Sequence, residues 1–65
     1  MCESSAYLLT KAGEEQKIMD YCIEIIPQED GKILLADLLG EEKLVDAIIK
    51  EVKLLDHKII LQARN

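Results

Sequence analysis

Residues 41–55 read Glu41-Glu42-Lys43-Leu44-Val45-Asp46-Ala47-Ile48-Ile49-Lys50-Glu51-Val52-Lys53-Leu54-Leu55. Their secondary structure decides between an all-β and an α+β chain. Leu44, Val45, Ile48, Ile49, Val52 and Leu55 recur at the spacing that places side chains on one helical face. Glu41 and Glu42 precede the run, where the positive end of a helix dipole favours acids. Periodicity alone therefore favours a helix of roughly four turns, at about 3.6 residues per turn. The alternative is a long bent strand, which the β-branched Val45, Ile48, Ile49 and Val52 permit without demanding it.

Outward from this stretch, the rest of the chain is punctuated at regular intervals. Ala12-Gly13-Glu14, Pro27-Gln28-Glu29-Asp30-Gly31, Gly40 and the weaker Asp56-His57 separate short apolar segments. Asp30-Gly31 is a hairpin signal, because both residues tolerate positive φ. Turns about every 8–12 residues point to an all-β meander or small barrel. Residues 17–26, KIMDYCIEII, alternate: Met19, Tyr21, Ile23 and Ile25 form an apolar face, and Ile18, Asp20, Cys22 and Glu24 a mixed one. The segments KILLADL (32–38) and KIILQ (58–62) are too closely bounded by turns to be stable helices. SAYLLT (5–10) reads as a further strand.

The chain has 65 residues, enough for one domain over 1–65. Apolar residues make up 49 %, with only two aromatics, Tyr7 and Tyr21, so the core must be aliphatic. So much apolar side chain exceeds what a small interior can hide, and the surplus points to a homodimer with two-fold closure. Net charge is −5, and the seven lysines (11, 17, 32, 43, 50, 53 and 58) are scattered. Nucleic acid requires a concentrated positive field and stacking aromatics, which this sequence lacks. The chain start, MCESSAYLL, has no basic stretch leading into a long apolar core, and no apolar run approaches a membrane span. The expectation is a cytoplasmic protein whose thiols stay reduced.

Cys2 stands where chain ends are seldom packed. An initiator Met before a small residue is commonly removed, which would leave Cys2 with a free α-amine beside its thiol. The two close a five-membered chelate ring on a metal, with reference pKa values of about 8 and 8.5. If Met1 stays, a deprotonated backbone amide replaces the amine at greater cost. A symmetric dimer doubles this to four donors, and a flat sulfur–nitrogen set suits Ni(II) or Cu(II). Zinc is disfavoured, because no Cys-x-x-Cys or close His pair is present. Taken by itself, one thiol carries no spacing information.

MCESSAYLL (1–9), GEE (13–15), EDGK (29–32), LLADLLGEEKLV (34–45) and LLDHKIIL (54–61), in this order, resemble the CooT family of small nickel-binding proteins over nearly the whole chain. The resemblance implies a small Sm-like, partly open β-barrel of about five strands, with residues 41–55 as strand. It implies a cytoplasmic homodimer in which Cys2 of both subunits binds one Ni(II). The implied role is that of a metallochaperone, not an enzyme, acting in maturation of the nickel enzyme carbon monoxide dehydrogenase. Cys22 is not part of the family pattern.

Two further residues are candidate ligands. Cys22, in mid-strand, reads as a small buried or interfacial hydrophobe, with an extra metal thiolate or a disulfide as the alternative. His57, the one histidine, falls in a turn and reads as solvated in preference to metal-ligating. The pairs Glu14-Glu15 and Glu41-Glu42 adjoin glycines in turns and read as solubilising surface. No catalytic constellation or Gly-rich phosphate loop is visible, since the three glycines stand apart. Two other functions compete: an Sm-like RNA-binding module, which the charge disfavours, and a structural interaction domain with an incidental thiol.

Overall fold

The computed structural model describes residues 3–64. The described residues form seven strands and no helix: β1 (Ser5–Leu9), β2 (Glu15–Met19), β3 (Cys22–Pro27), β4 (Ile33–Asp37), β5 (Glu42–Val45), β6 (Ala47–Lys53) and β7 (Lys58–Ala63). They make a four-stranded sheet in the order β2-β1-β7-β6 and a three-stranded sheet in the order β3-β4-β5. All neighbours are antiparallel except β1 and β7, which run parallel with Ser5 opposite Lys58.

Within residues 41–55, Glu42–Val45 and Ala47–Lys53 are strand and no residue is helical, so the helical alternative is overturned. β5 and β6 are separated by Asp46 alone, and the chain passes there from one sheet to the other. β2 and β3 make the same passage across Asp20 and Tyr21, where Tyr21 adopts a φ of 52°. The all-β expectation holds, but the described residues form seven strands in two sheets where about five strands in a partly open barrel were expected, because both long runs break where they change sheet. No ladder joins the two sheets among the described residues, so the arrangement is open.

The apolar stripe that imitated a helix is not buried. Leu44, Ile48, Ile49, Val52 and Leu55 are all exposed, and only Ala47 from this stretch is fully enclosed. A register shift between Ile49 and Glu51 adds a bulge that breaks strict alternation. Alternation also changes phase in the other bent run. Met19 is buried before the bend and Cys22 after it, while Tyr21 and Ile23 are exposed. The single apolar face expected across residues 19–25 is thus divided by the bend.

The core lies between the sheets and is built from Ala6, Met19, Cys22, Ile33, Leu35, Ala47, Ile59 and Leu61. Leu35 of β4 and Leu61 of β7 are its largest fully buried side chains. Both strands, like β1, are interior to their sheets and flanked on both edges. That is why the runs ILLA and KIIL are nearly continuous in branched apolar residues. Among the described residues no helix is long and apolar enough to cross a membrane.

Candidate metal site at the chain start

Cys2, the expected ligand, lies outside the described residues; β1, which follows it in sequence, is anchored on both sides at its first residues. On one side of β1, the Cys22 N–H donates to the Ser4 carbonyl at 2.8 Å. On the other, the Ser5 N–H donates to the His57 carbonyl at 2.9 Å. Ser4 and Ser5 are therefore held between the β2–β3 bend and the β6–β7 turn. The line of bonds continues outward at both ends. Leu38 N–H donates to the Tyr21 carbonyl (2.9 Å), tying in the β4–β5 turn, and His57 N–H donates to the Leu54 carbonyl (3.3 Å).

Two residues weighed separately in the sequence thus meet at one place, yet they present different chemistry. The Cys22 side chain is 4 % exposed, and its Sγ–H donates to the Glu24 carbonyl at 3.5 Å. Burial pushes this thiol above its ordinary pKa, only partly opposed by backbone hydrogen bonds from Glu24 and Ala36. It is a protonated core residue, as the hydrophobe reading expected. His57 is exposed, with its backbone in the left-handed region at a φ of 54°. Among the described residues no three His, Cys, Asp or Glu side chains converge in a manner that could hold a metal.

The loops around the chain start are unusual in composition. Connections between strands are normally polar. Here Leu38 and Leu39 are 63 % and 87 % exposed, Leu54 and Leu55 are 80 % and 96 % exposed, and Tyr21 is more than half exposed. The opposite ends of the same strands are joined by Thr10–Glu14, Gln28–Lys32 and Asp46, which contain no large apolar residue. Among the turns of the described residues, the large exposed apolar side chains thus fall at the end where β1 begins, while Ile23, Ile26, Leu44, Ile48, Ile49 and Val52 are exposed along the strands. In the sequence Leu38 reads as the end of the segment 32–38, and Leu54 and Leu55 as the end of the 41–55 stretch; the signal available was a Leu-Leu pair directly before each break, at Gly40 and at Asp56-His57.

A groove of about 340 Å³ lies between the β2–β3 bend and the β4–β5 turn, with Tyr21, Leu38 and Leu39 beside Lys17, Glu41 and Lys43. Lys43 is committed to the fold, donating from Nζ to the Ile18 carbonyl at 2.7 Å. Several other cations are paired: Lys17 with Asp20 (3.2 Å), Lys58 with Glu15 (3.1 Å), and Arg64 with Asp46. The Lys58 ammonium also lies 4.7 Å from the centre of the Tyr7 ring. These pairings further dilute an already weak positive field.

A family profile described as "CO dehydrogenase accessory protein CooT" matches residues 1–62. The fold is similar to the crystal structure of a protein assigned as CooT from Carboxydothermus hydrogenoformans. The two superpose with a TM-score of 0.86 at 33 % identity, over 98 % of this chain and 100 % of that one. No curated protein matches the sequence. An accessory protein assists an enzyme and is not itself the catalyst, so this chain's role lies with the carbon monoxide dehydrogenase system. With both the profile and the fold in agreement, the chain belongs to the CooT family of CO dehydrogenase accessory proteins.

Proposed function

We propose that this protein is a cytoplasmic homodimer that binds one Ni(II) between its two chain starts, through Cys2 of each protomer, and delivers it for maturation of carbon monoxide dehydrogenase. The observation that carries this reading is the setting of the chain start. β1 emerges at the one margin of the molecule where the loops are apolar and exposed, with Leu38, Leu39, Leu54 and Leu55 around it. A two-fold contact over that margin covers the surface a monomer leaves wet, and in doing so brings two chain starts together.

The donor chemistry supports nickel over harder or tetrahedral ions. The described residues offer no convergent carboxylate set, which Mg²⁺ or Ca²⁺ would need, and no closed Cys/His set for zinc. A thiolate with an adjacent nitrogen, supplied twice, suits a flat-coordinating ion. Only a few ligands hold such an ion at the surface of an assembly, so incoming ligands of a client can displace them one at a time. Delivery needs that property more than it needs extreme affinity.

Calorimetric titration of Ni(II) into the wild-type protein and Cys2→Ser tests the proposal. The expected result is one nickel per two chains in the wild type, with a thiolate-to-metal absorption band, and loss of both in the variant. An isotherm unchanged by Cys2→Ser overturns it.

A further inference from the structure

We infer that the apolar margin closes on a second copy as knob into groove: Leu54 and Leu55 of each protomer seat in its partner's groove between the β2–β3 bend and the β4–β5 turn. This rests on the homodimer part of the reading above and not on its metal. The order of elements along the margin makes the case. The Leu38 N–H donates to the Tyr21 carbonyl, the Cys22 N–H to the Ser4 carbonyl, the Ser5 N–H to the His57 carbonyl and the His57 N–H to the Leu54 carbonyl. Across the margin the elements therefore follow as β4–β5 turn, β2–β3 bend, β1 and β6–β7 turn. The first residues of β1 stand in the middle. The groove lies on one flank, and Leu54 with Leu55 on the other. A two-fold axis through the middle exchanges the flanks, so each leucine pair faces the other protomer's groove, twice per dimer. An axis at either flank pairs like with like and leaves the leucines of the other flank in water.

Groove and occupant match in size and chemistry. Tyr21, Leu38 and Leu39 line the groove, and all three are exposed in the single chain. Most of the polar lining is already engaged. The Asp37 carboxylate accepts the N–H groups of Leu39 and Glu41 at 2.9 Å each, Lys43 donates to the Ile18 carbonyl, and Lys17 pairs with Asp20. An aliphatic occupant displaces none of these bonds. At about 340 Å³ the groove has the space of roughly eleven waters, at about 30 Å³ each, and two leucine side chains have fewer carbons than that. Leu55 is the most exposed large apolar residue described, and its turn is held by the His57 N–H to Leu54 carbonyl bond. The knob is thus carried on an ordered turn, and its covering costs little further ordering of the chain.

Mixing two variants tests this reciprocity through assembly alone. Leu54→Ser with Leu55→Ser removes the knob, and Leu38→Ser with Leu39→Ser removes a wall of the groove. Tyr21→Asn is a second groove variant, since asparagine tolerates the φ of 52° at that position. All five side chains are exposed, and circular dichroism verifies that each variant folds. A homodimer of either serine variant loses both contacts. A mixed dimer keeps one, with the leucines of the groove variant seated in the intact groove of the knob variant. At about a factor of ten for each leucine withdrawn from water, the mixed dimer is tighter than either homodimer by about 100-fold. Sedimentation velocity, run with and without Ni(II) at a concentration where each variant alone is monomeric, should then show dimer in the equimolar mixture. A mixed Kd lying between those of the two homodimers overturns the knob-and-groove contact alone, because it pairs like with like. Groove variants that both dimerise as tightly as the wild type also overturn it. A wild type that stays monomeric with and without Ni(II) overturns the homodimer reading itself, and leaves the margin to another protein.

Discussion

Replacing Leu54 and Leu55 with serine is predicted to dissociate the proposed dimer and leave the subunit folded. Both side chains project from the β6–β7 turn, 80 % and 96 % exposed, so neither contributes to the subunit's core. Their loss should change subunit stability by no more than about 0.5 kcal/mol, as for other surface substitutions. Association is another matter. A leucine side chain taken fully out of water contributes at least about 1.5 kcal/mol. Symmetry applies each change twice, so the double substitution removes about 6 kcal/mol from the interface, or about four decades in Kd at ~1.4 kcal/mol per decade. Even if association covers only half of each side chain, about two decades remain. Sedimentation velocity over a concentration series measures the shift, and far-ultraviolet circular dichroism verifies that the strands persist. Equal dimerisation of the variant and the wild type would refute the reasoning, because it would place the interface away from the chain start.

Three other outcomes follow from the packing. Leu61→Ala, at a fully buried position of the central strand β7, should cost about 2–5 kcal/mol, a large share of the stability of so small a domain, and urea denaturation will show it as a collapse of the midpoint. Gly31→Ala should cost more than Gly13→Ala: both glycines have φ near +85°, but a Cβ at Gly31 falls on the Arg64 guanidinium that pairs with Asp46, whereas one at Gly13 meets open space. The backbone penalty of about 1–2 kcal/mol is common to both, and thermal unfolding reads the difference. Cys22 gives a pH dependence. Its folded pKa is raised, so its contribution is intact below the ordinary thiol value of 9.0 and is lost as pH rises through the higher folded value. Unfolding free energy should therefore fall above about pH 9 in the wild type and less steeply in Cys22→Ala, whose nickel stoichiometry should be unchanged.

Turn chemistry and the central strands were legible from residues alone. Asp30-Gly31, Gly13 and Gly40 mark real reversals, and each of the three glycines has a positive φ. The runs around Leu35 and Leu61 read as short branched strands and form the middle of each sheet. Residues 41–55 misled because periodicity equates apolar with buried. Leu44, Ile48, Ile49, Val52 and Leu55 stay exposed in the single chain, so their spacing carries no information about a subunit core. The strand breaks at Asp46 and bulges near Lys50, and two phase changes in a period of two imitate a period between three and four. Only the family resemblance tipped that stretch to strand. Cys22 was also legible as a core thiol. His57 was not legible beside the chain start, because parallel pairing of the first and last strands is a long-range event that no local pattern encodes. The same holds for the apolar margin, which appears only when two separate Leu-Leu pairs are folded to one side.

Native mass spectrometry of the nickel-loaded protein is the most direct test of the shared site. The predicted species is two chains with one nickel ion, replaced by nickel-free protein in Cys2→Ser. Nickel bound one per chain to a monomer, or retained in full by Cys2→Ser, would contradict a site shared between two chain starts.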